Sequence, residues 1–144
     1  MANTQAMCTV FKVDVLNGSH AFGTQSTNSV RTVTTKDTFN LALYLATATI
    51  DATTTVHSAT GELAATGNYT AKGKLLTNAT VPASTGTTAF WTPSASVTWT
   101  ALTSSGAFDA ALLINNQSTN VTERAISVHT FSSQSITAAD FTIT

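Results

Sequence analysis

From Phe39 the sequence alternates with a period of two: Phe39, Leu41, Leu43 and Leu45 fall on one side, Asn40, Ala42 and Tyr44 on the other. An extended chain places every second side chain on the same face, so this run predicts a strand with one apolar face. Seven more short runs read as strands, at 53–59, 72–78, 87–91, 95–102, 107–115, 124–131 and 141–144. Turn chemistry separates most of them, at Thr60-Gly61, Thr66-Gly67-Asn68, Pro82 to Gly86, Thr92-Pro93-Ser94, Ser104-Ser105-Gly106 and Asn115-Asn116. Roughly eight short strands at this spacing predict an all-β chain, a single β-sandwich or jelly-roll-like domain.

Composition agrees with that class. Charged residues make up 9% of the 144, against about 25% in ordinary soluble domains. Threonine fills the gap, doubled or tripled at Thr34-Thr35, Thr53-Thr54-Thr55 and Thr87-Thr88. Its β-branched side chain suits a pleated surface, and its hydroxyl keeps that surface polar without charge. A surface so poor in charge resists self-association badly, which predicts that much of it is covered in an assembly and that the chain is a homo-oligomer.

The same numbers exclude several classes. The single cysteine, Cys8, allows no intrachain disulfide, and no paired Cys/His spacing suggests a zinc site. Six basic and seven acidic residues give a net charge of −1, with no basic cluster longer than Lys72-x-Lys74. Neither nucleic acid nor an anionic membrane surface is an expected partner. No run of about 18 apolar residues is present. Residues 1–7 lack the basic stretch and apolar core of a secretory signal, so the expected product is made in the cytoplasm.

Residues 1–36 precede the strand rhythm and are expected to form an N-terminal helix or arm, with the sandwich at 37–144. Met7, Val10, Phe11 and Val15 recur at three- and four-residue steps, Asn3 or Thr4 is placed to cap a helix over 4–17, and Gly18 to end it. The rival is a strand over 10–16, where Phe11, Val13 and Val15 alternate before an Asn17-Gly18 turn. Residues 20–36 are polar and unpatterned and read as an extended arm. Docked on a neighbouring subunit, the segment offers Met7, Val10, Phe11, Val15 and Phe22 as contacts. Trp91, just before Thr92-Pro93, stands between interface and core, whereas Trp99 alternates with Val97 and Ala101 as a core residue does.

Catalytic patterns are missing. His20, His57 and His129 lie in different segments, no His-x-x-x-His or Glu-x-x-His spacing joins them, and no Gly-x-Ser-x-Gly elbow occurs. The chain is expected to be no enzyme and to need no cofactor or metal. Glu62 stands out because acidic residues are scarce: it is either an intersubunit ion pair or metal ligand, or a carboxylate accepting N–H bonds in its own turn. Asp109, between Phe108 and Ala110, has Arg31 or Arg124 as candidate partners.

The segment Asp37-Thr38-Phe39-Asn40-Leu41-Ala42-Leu43-Tyr44 resembles the Asp-Thr-Phe-x-x-Ala-Leu-Tyr strand of small virion structural proteins of tailed phages and prophages. Gly61-Glu62-Leu63, Thr66-Gly67-Asn68-Tyr69 and Gly73 follow in that family's order, as do the runs Ala107 to Asn116, Arg124 to Val128 with Phe131, and Phe141 to Thr144. Lys72, where the family tends to glycine, and His57, where an aromatic is common, depart from it. The resemblance implies a structural component of a bacteriophage virion, with capsid decoration or cement preferred, whose partners are the major capsid protein or other virion proteins. The alternative is a tail- or fibre-associated module contacting a host receptor or glycan, with Trp91 and the 82–86 loop as candidates.

Overall fold

A computed structural model describes residues 2–22, 36–77, 82–117 and 123–144. The chain is mostly strand with one short helix, and its sheets do not close. In chain order the elements are β1 (Ala6–Met7), α1 (Thr9–Leu16), β2 (Phe39–Leu45), β3 (Lys74–Leu75), β4 (Ala83–Thr85), β5 (Thr88–Phe90), β6 (Val97–Leu102), β7 (Phe108–Asn115), β8 (Arg124–Gln134) and β9 (Ala139–Ile143). Five of them form one antiparallel sheet in the order β1-β8-β7-β2-β3; β4 pairs with β5, and β6 with β9.

The central sheet is covered on both faces. Phe39, Leu41 and Leu43 of β2 meet Val97, Trp99 and Leu102 of β6 with Phe141 and Ile143 of β9, a sandwich-like layer. The opposite face carries Ala42 and Tyr44, which pack with Ala110, Leu112, Ile114 and Val128 beneath Cys8, Val10, Phe11, Ala48 and Ile50. Residues Phe39 to Tyr44 are consequently all buried. The expected single apolar face of β2 is therefore one of two; the small Ala42 and the hydrogen-bonded Tyr44 hydroxyl carried the second.

Two irregularities set the facing of β7 and β8. The register shifts between Phe108 and Ala110, so Phe108 joins Ala111 in the β6–β9 layer although their numbers differ in parity. On β8, Ala125 pairs with Ile114 and Ser127 with Leu113, leaving Ile126 as the extra residue; Ala125 and Val128 then share the helix-side face.

Two expected strands shrink. Residues 53–59 make only the bridge Val56–Arg124, because the Asp51 carboxylate takes the Thr53 N–H and hydroxyl, and Thr54 Oγ1 the Asp51 N–H. In the expected 72–78 strand only Lys74–Leu75 pairs, since Lys72 and Gly73 both have φ of +68°. A Cβ on Gly73 would lie 1.9 Å from the Leu41 carbonyl oxygen, so no side chain fits there. Asn78 and the 23–35 part of the expected arm lie outside the described residues.

Residues 2–22 belong to the same body as the sheet. β1 extends the sheet by pairing with β8. Asn3 donates to the Leu45 carbonyl and to Asp109 Oδ1 and accepts from the Ile50 N–H. Helix α1 starts after Cys8 rather than Asn3 or Thr4, and ends with Gly18 N–H bonded to the Val15 carbonyl and Ser19 N–H to that of Asp14, a Schellman closure.

Candidate interaction surface

Helix α1 is apolar on both faces and turns its one carboxylate toward the sheet. Val10, Phe11 and Asp14, spaced at three and four, face the sheet, and Asp14 is the buried residue. Val13 and Val15 are each 51% exposed and Leu16 88%. Val13 and Leu16 are neighbours at i and i+3 on the outward face, with Lys12 beside them. Met7, on the edge strand β1, is also exposed.

An inward aspartate is possible because the fold supplies its partners. Arg124 Nε lies 3.1 Å from Asp14 Oδ2, and His20 Nε2 lies 3.5 Å from the same oxygen. Asn115 accepts the Gln117 N–H at its carbonyl oxygen, which orients its amide nitrogen toward His20 Nδ1 (2.8 Å) and Asp37 Oδ2 (2.6 Å). With Nδ1 accepting, the proton of neutral His20 sits on Nε2, facing Asp14. Burial pushes the His20 pKa below its ordinary value, opposed in part by Asp14 and Asp37.

A second polar group ties the loops at the other side of β2. Glu62 accepts from Tyr69 OH (2.8 Å) and the Lys72 N–H (2.6 Å), and lies 2.8 Å from His57 Nε2. Glu123 Oε2 is 3.5 Å from His57 Nδ1, and Glu123 pairs with Lys72. Hydrogen bonding from the Lys72 ammonium holds the Glu123 carboxyl below its usual range. Burial pushes the Tyr44 hydroxyl up to about 12 and raises that of Tyr69. Glu62 is thus an internal clasp whose backbone donor comes from ten residues downstream, not from its own turn. Among the described residues no group of three or more His, Cys, Asp and Glu is arranged to hold a metal ion.

The remaining candidates separate. Phe22 stacks on Phe39 at 4.7 Å between ring centroids, and Trp91 lies 5.1 Å from both, so these two aromatics pack with the core. Val10 and Phe11 also pack inward, while Met7 and Val15 point out. Trp99 is buried. Asp109 is bonded by Asn3, and Arg124 is engaged by Asp14; Arg31 lies outside the described residues. Val13 and Leu16 are not among the contacts expected from the helical spacing of Met7, Val10, Phe11 and Val15, and no signal in the sequence marks Asp14 as the residue that faces the sheet.

No protein-family model, curated protein or solved structure matches this chain.

Proposed function

We propose that this chain is a non-enzymatic structural subunit of a bacteriophage virion, a capsid decoration or cement protein made in the host cytoplasm and held on the head by the major capsid protein or other virion proteins. The observation that carries this reading is the outward face of α1, where Val13 and Leu16 meet solvent while the helix's own carboxylate is turned inside. Other scarce charges are likewise spent within the fold, with Asp37 and Glu62 buried and Lys72 paired to Glu123. What is left outside suits broad contact with protein and offers little to steer a charged ligand. The resemblance of most of 37–144 to tailed-phage structural proteins supports the same reading. A glycan-binding tail module is disfavoured because Trp91, its candidate platform, packs against Phe22 and Phe39.

The test is the protein content of purified particles from the phage or prophage that encodes the chain, followed by a reconstruction. Repeating density of about 15 kDa on the head, a mass set by chain length, supports the reading. Absence from particles refutes it, and density confined to the tail moves it to the alternative.

A further inference from the structure

The β4–β5 hairpin is exposed at every residue from Pro82 to Phe90. Among the described residues no strand pairs with the outer edge of either β4 or β5. A two-stranded hairpin is marginally stable by itself, and a third strand or a packing face is what normally secures it. From residue 75 to residue 108 the sequence contains no Asp, Glu, Lys or Arg. A charged partner would lose hydration against this surface and gain no counter-charge. The surface suits one that is equally free of charge.

The register identifies such a surface. Thr85 pairs with Thr88 across the two-residue turn Gly86-Thr87, where Gly86 supplies the positive φ of +58°. The pair closing such a turn exchanges the hairpin's hydrogen bonds, and bonding then alternates. At the Ser84–Ala89 pair the N–H and C=O groups point away from the hairpin. On β4 that edge begins at Pro82, which has no N–H and blunts it; β5 has neither proline nor charge. The outer side of β6, by contrast, is capped by Lys74 and Asn68, which donate to the Thr98 and Thr100 carbonyls.

We propose that the outer edge of β5 pairs antiparallel with the same edge of a second copy, about a two-fold axis at Ala89, to give a four-stranded β4-β5-β5-β4 sheet. With Ala89 opposite its own copy, each Phe90 faces the other chain's Thr88, the aromatic and β-branched combination that stabilises cross-strand neighbours. No like charges meet, and the contact is isologous and closed. Three-residue strands bury less than the roughly 1,200 Å² of a stable interface. The free pair therefore dissociates on the order of 1 mM, and it tightens where copies are held side by side. The pairing is a property of the free chain and goes beyond the virion reading, so either can fail without the other.

The experiment uses the full chain in solution. In an H-bonded antiparallel pair the Cα atoms stand about 5.5 Å apart, within disulfide range. Ala89→Cys should give a covalent dimer under mild oxidation at least about tenfold faster than Ser84→Cys on the opposite edge; Cys8 is fully buried and does not compete. In sedimentation equilibrium near 1 mM, the wild-type chain should self-associate. Ala89→Pro, which removes one edge N–H from each copy, should weaken that by roughly tenfold or more. Ser84→Pro should leave it unchanged. Equal cross-linking at 84 and 89, a wild-type chain that stays monomeric, association that survives Ala89→Pro, or its equal loss in Ser84→Pro would each overturn the proposal.

Discussion

Arg124 Nε sits 3.1 Å from Asp14 Oδ2, and this contact joins the inward face of α1 to the first residue of β8. The carboxylate is nearly enclosed, with 6% of its side chain exposed, whereas 36% of the arginine side chain is open to water. The two partners are therefore unequal. Removing the arginine leaves a buried charge, while removing the aspartate leaves a cation that can turn outward.

That asymmetry predicts the outcome of substitution. Arg124→Ala should destabilise the chain by about 1–3 kcal/mol, less than a wholly buried pair would show because the arginine is partly solvated. Adding Asp14→Leu to Arg124→Ala should recover part of the loss, since no unpaired charge remains. Urea midpoints measure both. A double variant less stable than Arg124→Ala alone would show that Asp14 contributes through something other than this pair.

The buried imidazole of His20 predicts an acid limb near neutrality. Its folded pKa lies below the ordinary 6.5, so below that pH the unfolded chain binds a proton that the native chain refuses. Stability is then fully present above about 6.5 and declines as pH falls from there toward the folded pKa. Glu123 acts in a separate, lower window: held below its ordinary 4.5 by Lys72, it loses its contribution only as pH falls beneath that value. Urea midpoints from pH 8 to 3 (about one and a half units beyond each ordinary value) should show two declines. His20→Gln should reduce the upper one, leaving the share of His129, whose pKa is lowered in the same direction by desolvation, and Lys72→Ala should reduce the lower.

Tyr69 bridges backbone and clasp. Its hydroxyl accepts the Leu43 N–H at 2.9 Å and donates to Glu62 at 2.8 Å, in a site with 3% of the residue exposed. Tyr69→Phe strands a buried donor and removes one partner from a buried carboxylate, so a loss of about 1–3 kcal/mol is expected. Hydrogen exchange gives the local check: the Leu43 amide should lose protection more than its neighbours in β2. Uniform loss along β2 would mean that the hydroxyl only adds to global stability.

The strands were largely legible because alternation and turn chemistry are local. Phe108–Asn115 and Arg124–Gln134 lie close to their expected bounds, and the helix over 4–17 shortens to Thr9–Leu16. Failures occur where a side chain outcompetes the ladder, as Asp51 does, or where backbone sterics intervene, as at Gly73. The site was harder to read. Spacing alone identified Val10 and Phe11 as one face, but which face is buried depends on Arg124 and His20, brought to Asp14 from distant parts of the chain or from beyond the helix end. No periodicity carries that information.

Helix α1 keeps its fold contacts and its exposed apolar side chains on opposite sides, and two changes to the N-terminal segment should behave in opposite ways. A chain beginning at residue 37 loses Cys8, Val10 and Phe11 from one face of the sheet, β1 from the edge of β8, and Asn3 from Asp109 and Ile50. Val10 and Phe11 are partly buried there, so each contributes less than the roughly 1.5–3 kcal/mol of full burial, but an apolar sheet face and an open edge are uncovered together. Truncation should therefore give an unfolded or aggregated product by circular dichroism and sedimentation. Leu16→Glu changes a side chain that is 88% exposed and should shift stability by no more than about 0.5 kcal/mol. If the outward face of α1 meets a neighbouring virion protein, Leu16→Glu and Val13→Glu should fold normally yet fail to join particles assembled without the wild-type chain. Full occupancy by both variants would remove this helix face from the assembly contact.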